Sequence, residues 1–435
     1  MVSLLEEVGG HWIYTSPTEG VPPPARPGPI TLHPLVFDAR LSAQHYAGIS
    51  IQTFLWLHHY VFDTTYEPTF DYRVVEQWAG YEEVNRRFAR EISLAHQNSS
   101  DEIVLVHDFH LMMVPLFFTD DTPGRQSRLI YFHHVPWCEP DYFSLLPEWL
   151  RTRVLESLLR CDVVGFHSRR WANAFLACCE RFLPAVKVDG NRVEYAGHRS
   201  TVAVAPGPID GGALLELRED PSTAAWRERL LARARHRRPV VRVDRLDLWK
   251  NVIRGFEAFE LMLSRDPALA DELWFCAVVT PPRRPSERSG RYRDRCEETV
   301  ARINDRFNPG SGAATEPVSL IYPQAGDNTR HRAVAALEVS AVTLVNPTFD
   351  GLNMVAKEAL VVGSAPVLLS VNAGAYEQLR DGVTPIHPFD VEATADALST
   401  AVAGDAVDDA GGRRAALRQE SAAEWLRRLL GETDG

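Results

Sequence analysis

Arg245 and Lys250 stand five apart in VDRLDLWKN, residues 243–251, just past a hydrophobic run. A guanidinium and an ammonium so placed would clamp a diphosphate, the first through paired hydrogen bonds and the second as a point charge. The same letters also fit a loop salt bridge from Arg245 to Asp244 or Asp247. A second stretch, NPTFDGLNMVAKEALVV at 346–362, follows another hydrophobic run, AVTLV. Gly351 would let the backbone approach a ligand closely. The amides of Leu352 to Met354 would be helix-start donors, which suit a phosphate. Asp350, Met354 and Glu358 are spaced four apart and would line one helix face. Glu358 would then accept two ribose hydroxyls. An aspartate cap followed by an exposed glutamate fits the stretch as well.

Four histidines form the third candidate group: His107 and His110 in HDFHLM, and His133 and His134 in HHVPW. Helical metal sites space histidines i, i+4 with a supporting acid, and H-x-x-H is looser than that. No metal is therefore assigned. Histidines that close strands donate instead to a sugar hydroxyl or to developing charge, with His107 and His133 expected to be structural.

These residues need elements to hold them. Short apolar and β-branched runs at 103–107, 129–133, 162–166, 200–205, 239–243, 273–279, 318–322, 341–345 and 365–369 read as strands. Helical patterns at 141–160, 168–183, 251–265 and 291–307 lie between them. Alternation of this kind predicts parallel sheets covered on both faces. A break near 207–237 separates four strands from five, giving two doubly wound halves. In such sheets ligands bind beyond the carboxyl ends of strands, where the polar residues above gather in both halves. A cleft between two facing domains is the expectation. GVPPPARPGP at 20–29 reads as an exposed loop. SAAEWLRRLLGETDG at 421–435 reads as an amphipathic helix packing back on the first half.

The 435 residues exceed one ordinary core. The formal charge of −12 offers no basic surplus for nucleic acid. Six cysteines lack zinc or disulfide spacing, which fits a reducing cytoplasm. The first residues lack the pattern of a secretory leader, and no apolar run reaches membrane-spanning length.

Taken together, HDFHLMMVP, YFHHVPWCEPDYFSLLP, CDVVGFHS, VDRLDLWKN and DGLNMVAKEAL resemble, in order and spacing, the segments of the trehalose-6-phosphate synthase family, glycosyltransferase family 20. The resemblance implies an α/β protein of GT-B type. Its two Rossmann-like domains would be an acceptor-side domain over 1–220 and a nucleotide-sugar domain over 221–405, with a closing helix at 406–435. It implies that Arg245 and Lys250 hold the diphosphate, that His134 stands by the donor sugar and that Asp350 binds its hydroxyls. Backbone groups at Gly351, Leu352, Asn353, Met354 and Val355 would bind the donor, and Glu358 its ribose. Tyr60, Trp78 and Asp108 match acceptor-side residues. Arg284 is the best match for the arginine on the acceptor phosphate, with Arg283 and Arg288 as alternatives.

The implied reaction is retaining transfer of a hexose from a UDP- or GDP-sugar to a phosphorylated sugar or polyol, without cofactor or metal, in a chain that a homo-oligomer would suit. Departures from the pattern define two rivals. VGGHWIYTS aligns after the family's first strand and Gly-Gly loop, so those are expected to be missing, which would suit an inactive ligand-binding relative. Asn251 replaces a glycine and Phe349 an arginine. Asn346, Thr348, Trp137 and RRWANAFL resemble the pseudoglycosyltransferase branch, which joins cyclitols through nitrogen, whereas VAKE is the sugar-transferring form.

Overall fold

The computed structural model describes residues 5–6, 8–16, 29–282, 286–308, 316–404 and 411–431. Most of the Pro-rich loop, Arg283, Arg284 and the last four residues lie outside them. The chain forms two compact units, Met1–Gly207 with Ala422–Gly435, and Pro208–Ser421. The division thus falls at 207/208 instead of 220, because the helices Gly211–Glu219 and Pro221–Ala234 pack within the second unit. The second unit runs on to Ser421 instead of ending at 405.

In the first unit, β1 (Gly10–Thr15) and β2 (Ile30–Leu35) pair in parallel, and neither joins the main sheet. That sheet contains β3 (Ile103–His107), β4 (Arg128–His133), β5 (Val163–Phe166), β6 (Lys187–Asp189), β7 (Arg192–Tyr195) and β8 (His198–Val204), in the order 3-4-5-8-7-6. Its β6–β7 and β7–β8 pairs are antiparallel. The expectation of a purely parallel sheet is corrected here: Gly190, at φ +58°, helps turn β6 back into β7 as a hairpin.

The second unit holds β9 (Arg238–Arg245), β10 (Leu273–Thr280), β11 (Val318–Ile321), β12 (Val342–Val345), β13 (Val367–Ser370) and β14 (Thr384–Ile386). All pairs are parallel, in the order 11-10-9-12-13-14. Counted from the first strand this is 3-2-1-4-5-6, the dinucleotide-binding order. Side chains alternate between two cores. Val241, Trp274, Cys276 and Val278 enter one; Val240, Phe275, Ala277 and Val279 enter the other. Both faces are buried, which is why these strands read as continuous apolar runs. Each large side chain so buried contributes about 1.5–3 kcal/mol.

The helix Ala422–Leu430 covers the first unit's sheet. Trp425 and Leu429 pack with Ile130, Phe132, Val163 and Ala205. The Trp425 Nε1 donates to the Ala205 carbonyl at 3.1 Å. Gly165 makes room for it: a Cβ there would lie 2.5 Å from the Phe132 ring and 2.7 Å from Leu429. All six cysteines are buried and unpaired. No helix among the described residues is long and apolar enough to cross a membrane.

Candidate active site

Strands β9 and β12 are neighbours at the point where the second sheet's order reverses, and the loops leaving their carboxyl ends carry the candidate donor residues. Arg242, in mid-strand and fully buried, is neutralised by Asp244 at 2.7 Å, two residues on and so on the same face of the strand. Its guanidinium also donates to the Lys250 carbonyl at 2.8 Å, fixing the loop. Lys250 then reaches across, its Nζ 2.5 Å from Asp350 Oδ2. Burial lowers the ammonium pKa, but Asp350, Asp244 and Asp247 outweigh it, so the pKa is raised and Lys250 stays charged. Arg245 pairs with Asp247 at 2.7 Å while half of its side chain remains exposed. The loop salt bridge and an available cation therefore coexist.

Asn251 replaces the family glycine without strain. It sits at φ 59°, ψ 40°, a left-handed conformation that asparagine tolerates. Its amide donates to the carbonyls of Asn346 at 2.9 Å and Pro388 at 2.7 Å. Asn346 returns a bond to the Asn251 carbonyl, and the Thr348 amide donates to that of Trp249 at 2.8 Å. Phe349 lies beside Phe389, ring centroids 6.3 Å apart.

The helix after β12 starts at Met354, and its cap is Asn353, whose side chain accepts from the Ala356 amide at 3.3 Å. The expected helix-start amides at Leu352 to Met354 are thus shifted, since Leu352 and Asn353 precede the helix. Asp350 is neither the cap nor on one helix face with Met354 and Glu358. It lies in the preceding loop, bridged to Ala373, and accepts from Asn353 Nδ2 at 3.1 Å. The loop 350–353 is pinned by the Ala375 amide on the Leu352 carbonyl at 2.7 Å. Gly351 and Leu352 are buried, Met354 is exposed and Val355 partly buried. Glu358 is largely buried, with Arg330 at 3.9 Å; burial raises its pKa and Arg330 opposes the rise. Of the acceptor-phosphate candidates only Arg288 is described, in the first turn of the helix Glu287–Phe307.

In the first unit, His107 and His134 extend from adjacent strand ends. His107 Nδ1 lies 2.9 Å from His134 Nε2. Burial and the neighbouring His167 and His107 hold His134 well below its usual pKa, so it is neutral. Asp108, at φ 71°, accepts from the His134 amide at 3.2 Å. Burial pushes its carboxyl up to about 7 against two backbone donors. His133 is held by the Tyr131 hydroxyl at 2.8 Å in the core. Among the described residues no three His, Cys, Asp or Glu converge as metal ligands. Tyr60, at φ 56°, accepts from the Glu139 amide at 2.6 Å and packs on Tyr142. Trp78 is a core residue, only 6% exposed, against Phe54, Tyr81 and Trp149. It presents no open face, contrary to an acceptor platform.

Two signals in the sequence point to residues not singled out there. Arg242 inside PVVRV and Lys357 inside MVAKEALVV are charges in apolar runs, which need buried partners. Lys357 is fully buried with its Nζ 2.6 Å from Glu420. Glu420 also accepts from the Ile209 amide at 2.9 Å and Gln378 at 2.5 Å.

Two Rossmann-like units, one with paired cations and carboxylates at its strand crossover, define the GT-B class. The model of glycosyltransferase family 20 matches residues 23–430. An alpha,alpha-trehalose-phosphate synthase [UDP-forming] from Botryotinia fuckeliana is 32% identical over 85% of this chain and 68% of its own length. A validamine 7-phosphate valienyltransferase from Streptomyces hygroscopicus subsp. jinggangensis is 29% identical over 85% and 71%. The crystal structure of an alpha,alpha-trehalose-phosphate synthase (UDP-forming) from Burkholderia xenovorans in complex with glucose-6-phosphate superposes with a TM-score of 0.83, covering 97% of this chain and 92% of that one at 24% identity. This chain belongs to glycosyltransferase family 20.

Proposed function

We propose that the protein is a retaining glycosyltransferase that moves a hexose from a UDP- or GDP-sugar to a phosphorylated sugar or polyol. The observation that carries this reading is the Lys250–Asp350 pair at the second sheet's crossover, with Arg245 half-exposed beside it. Lys250 has three donors and spends one on Asp350, so two are available to a diphosphate. Asp350 is assigned to a hydroxyl of the donor sugar. The acceptor hydroxyl attacks the anomeric carbon on the face the diphosphate leaves. The carbon–phosphate oxygen bond breaks as the new carbon–oxygen bond forms, and the hydroxyl proton passes to the departing phosphate oxygen. The chain's part is to position the reactants and stabilise the charge that builds on the leaving group. His134 is assigned to the donor sugar, Asp108 and Tyr60 to the acceptor side, and Arg284 or a neighbouring arginine to the acceptor phosphate. No step is assigned to a cofactor or metal. Buried, unpaired cysteines support a cytoplasmic setting.

A second reading, joining cyclitols through nitrogen, is favoured by the similarity to the valienyltransferase. Against it, Asn346 and Thr348 hold the neighbouring loop 249–251, so these departures serve the backbone. The test offers UDP-glucose, GDP-glucose and a nucleotide-valienol with phosphorylated hydroxyl and amine acceptors, and weighs the products. A hexose product with retained anomeric configuration is expected. Product from the cyclitol and amine pair alone overturns the first reading. Bound nucleotide with no product from any pair indicates the inactive relative.

A further inference from the structure

The first unit carries a cavity of about 580 Å³ at the amino end of its sheet. Arg128 opens β4, and Asp162 immediately precedes β5. His107 and His134 follow the opposite, carboxyl ends. The length of β4 alone separates the two edges by roughly 17 Å, so the cavity is distinct from the candidate active site.

Arg125, Arg128 and Arg160 line the cavity together with Asp162, Thr119 and Thr122. Asp162 is already engaged: it accepts from Arg125 Nη1 at 2.9 Å and from the Leu129 amide at 2.8 Å. Its Oδ2 neutralises Arg125, and its Oδ1 faces His198 Nε2 at 3.8 Å. Arg128 donates to a carbonyl, that of Leu430, at 2.9 Å, and so keeps its charge. Arg160 is exposed at the rim. Two guanidinium charges thus remain uncompensated within one concave site of a chain whose net charge is −12. Guanidinium forks match the oxygens of phosphate, whereas the hydroxyls of Thr119 and Thr122 are spent on the Pro115 and Phe118 carbonyls and only shape the wall.

We propose that this cavity is a second ligand site that binds a small phosphate monoester. Its volume takes a whole sugar phosphate or nucleoside monophosphate, within the usual range for small-molecule sites. Occupancy would be felt elsewhere in the unit. Arg128 holds the last residue of the helix Ala422–Leu430, and Trp425 of that helix stacks on His107, ring centroids 6.3 Å apart. An anion drawing Arg128 away loosens the helix that backs the His107–His134 pair.

The experiment is calorimetry on the full chain with inorganic phosphate, glucose 6-phosphate and AMP, comparing the parent with Arg160→Glu and Arg160→Lys. Arg160 is exposed and outside the candidate active site, so the fold is retained, which circular dichroism checks. A binding event at least tenfold weaker in Arg160→Glu and largely kept in Arg160→Lys is expected for one or more probes. Tighter binding of glucose 6-phosphate than of phosphate identifies a sugar phosphate as the ligand, and tighter AMP a nucleotide. Equal affinities show that the phosphate alone is read. If no probe binds the parent, or if every binding event survives Arg160→Glu unchanged, the proposal is overturned.

Discussion

Lys250 Nζ and Asp350 Oδ2 are 2.5 Å apart, and their contact ties the loop after β9 to the loop after β12. Both side chains are mostly buried, 14% and 13% exposed. A cation so held is preorganised, and costs no reorganisation when negative charge develops beside it. Replacing Asp350 by Asn removes the largest influence raising the Lys250 pKa and leaves burial to lower it. The alkaline limb of the activity profile should therefore move to lower pH, with turnover reduced. A limb that stays in place would show that Lys250 is held charged by Asp244 and Asp247 alone.

Arg245→Ala should cost about 3 kcal/mol of transition-state stabilisation, a loss of roughly a hundredfold in kcat/KM. Its Asp247 partner is then freed, so Asp247→Asn serves as the control for the loop salt bridge. Steady-state kinetics on folded variants separate the two. Activity of Arg245→Ala within twofold of the parent would remove the guanidinium from the charge-stabilising role.

Asp108 gives a pH signature. Its carboxyl rises from an ordinary 3.8 to about 7 in the folded chain, because of burial. Between these values the folded state binds more protons than the unfolded, so this group's contribution makes stability fall as pH rises, and the cost is complete above about pH 7. Asp108→Asn keeps an acceptor for the His134 amide and suits the positive φ. The variant's thermal midpoint, relative to the parent, should climb from pH 4 to 7 and level off beyond. A constant difference across that range would contradict the raised pKa.

Lys357→Met should destabilise the second unit by roughly 3–5 kcal/mol, because it leaves Glu420 as an uncompensated, mostly buried charge. Adding Glu420→Gln should recover part of the loss, since the neutral amide no longer needs a cation. Thermal melts of the parent, both single variants and the double variant close the cycle. Strict additivity would show that the two side chains do not interact.

The elements that could be read from the sequence are those whose burial leaves a simple mark. The central strands β9, β10 and β12 are buried on both faces and appear as unbroken apolar runs. Their carboxyl ends are therefore marked in the sequence, and Arg245, Lys250 and Asp350 lie at or just past them. Edge elements left weaker marks. Strands β6 and β7, with Lys187, Asp189, Arg192 and Glu194, are half-polar and short, although Gly190-Asn191 between them is a hairpin signal in its own right. Strand β14 contains a proline and spans three residues. The cap at Asn353 leaves no mark of its own, because its positive φ is a backbone fact that Asp-Gly, three residues earlier, disguises. Trp78 matched a family position, but its helix turns it into the aromatic core. Pairings across the chain, such as Lys357 with Glu420, leave only the hint of a charge among apolar neighbours.

Trp425 belongs to the first unit's core yet follows its partner Ala205 by 220 positions. During synthesis, Ile130, Phe132 and Val163 emerge early and wait for the helix that covers them. At common elongation rates that wait is roughly 15–60 s. The first unit is thus completed only after the second has been made, and its bare sheet face is where a nascent molecule is most open to chaperones, proteases and self-association.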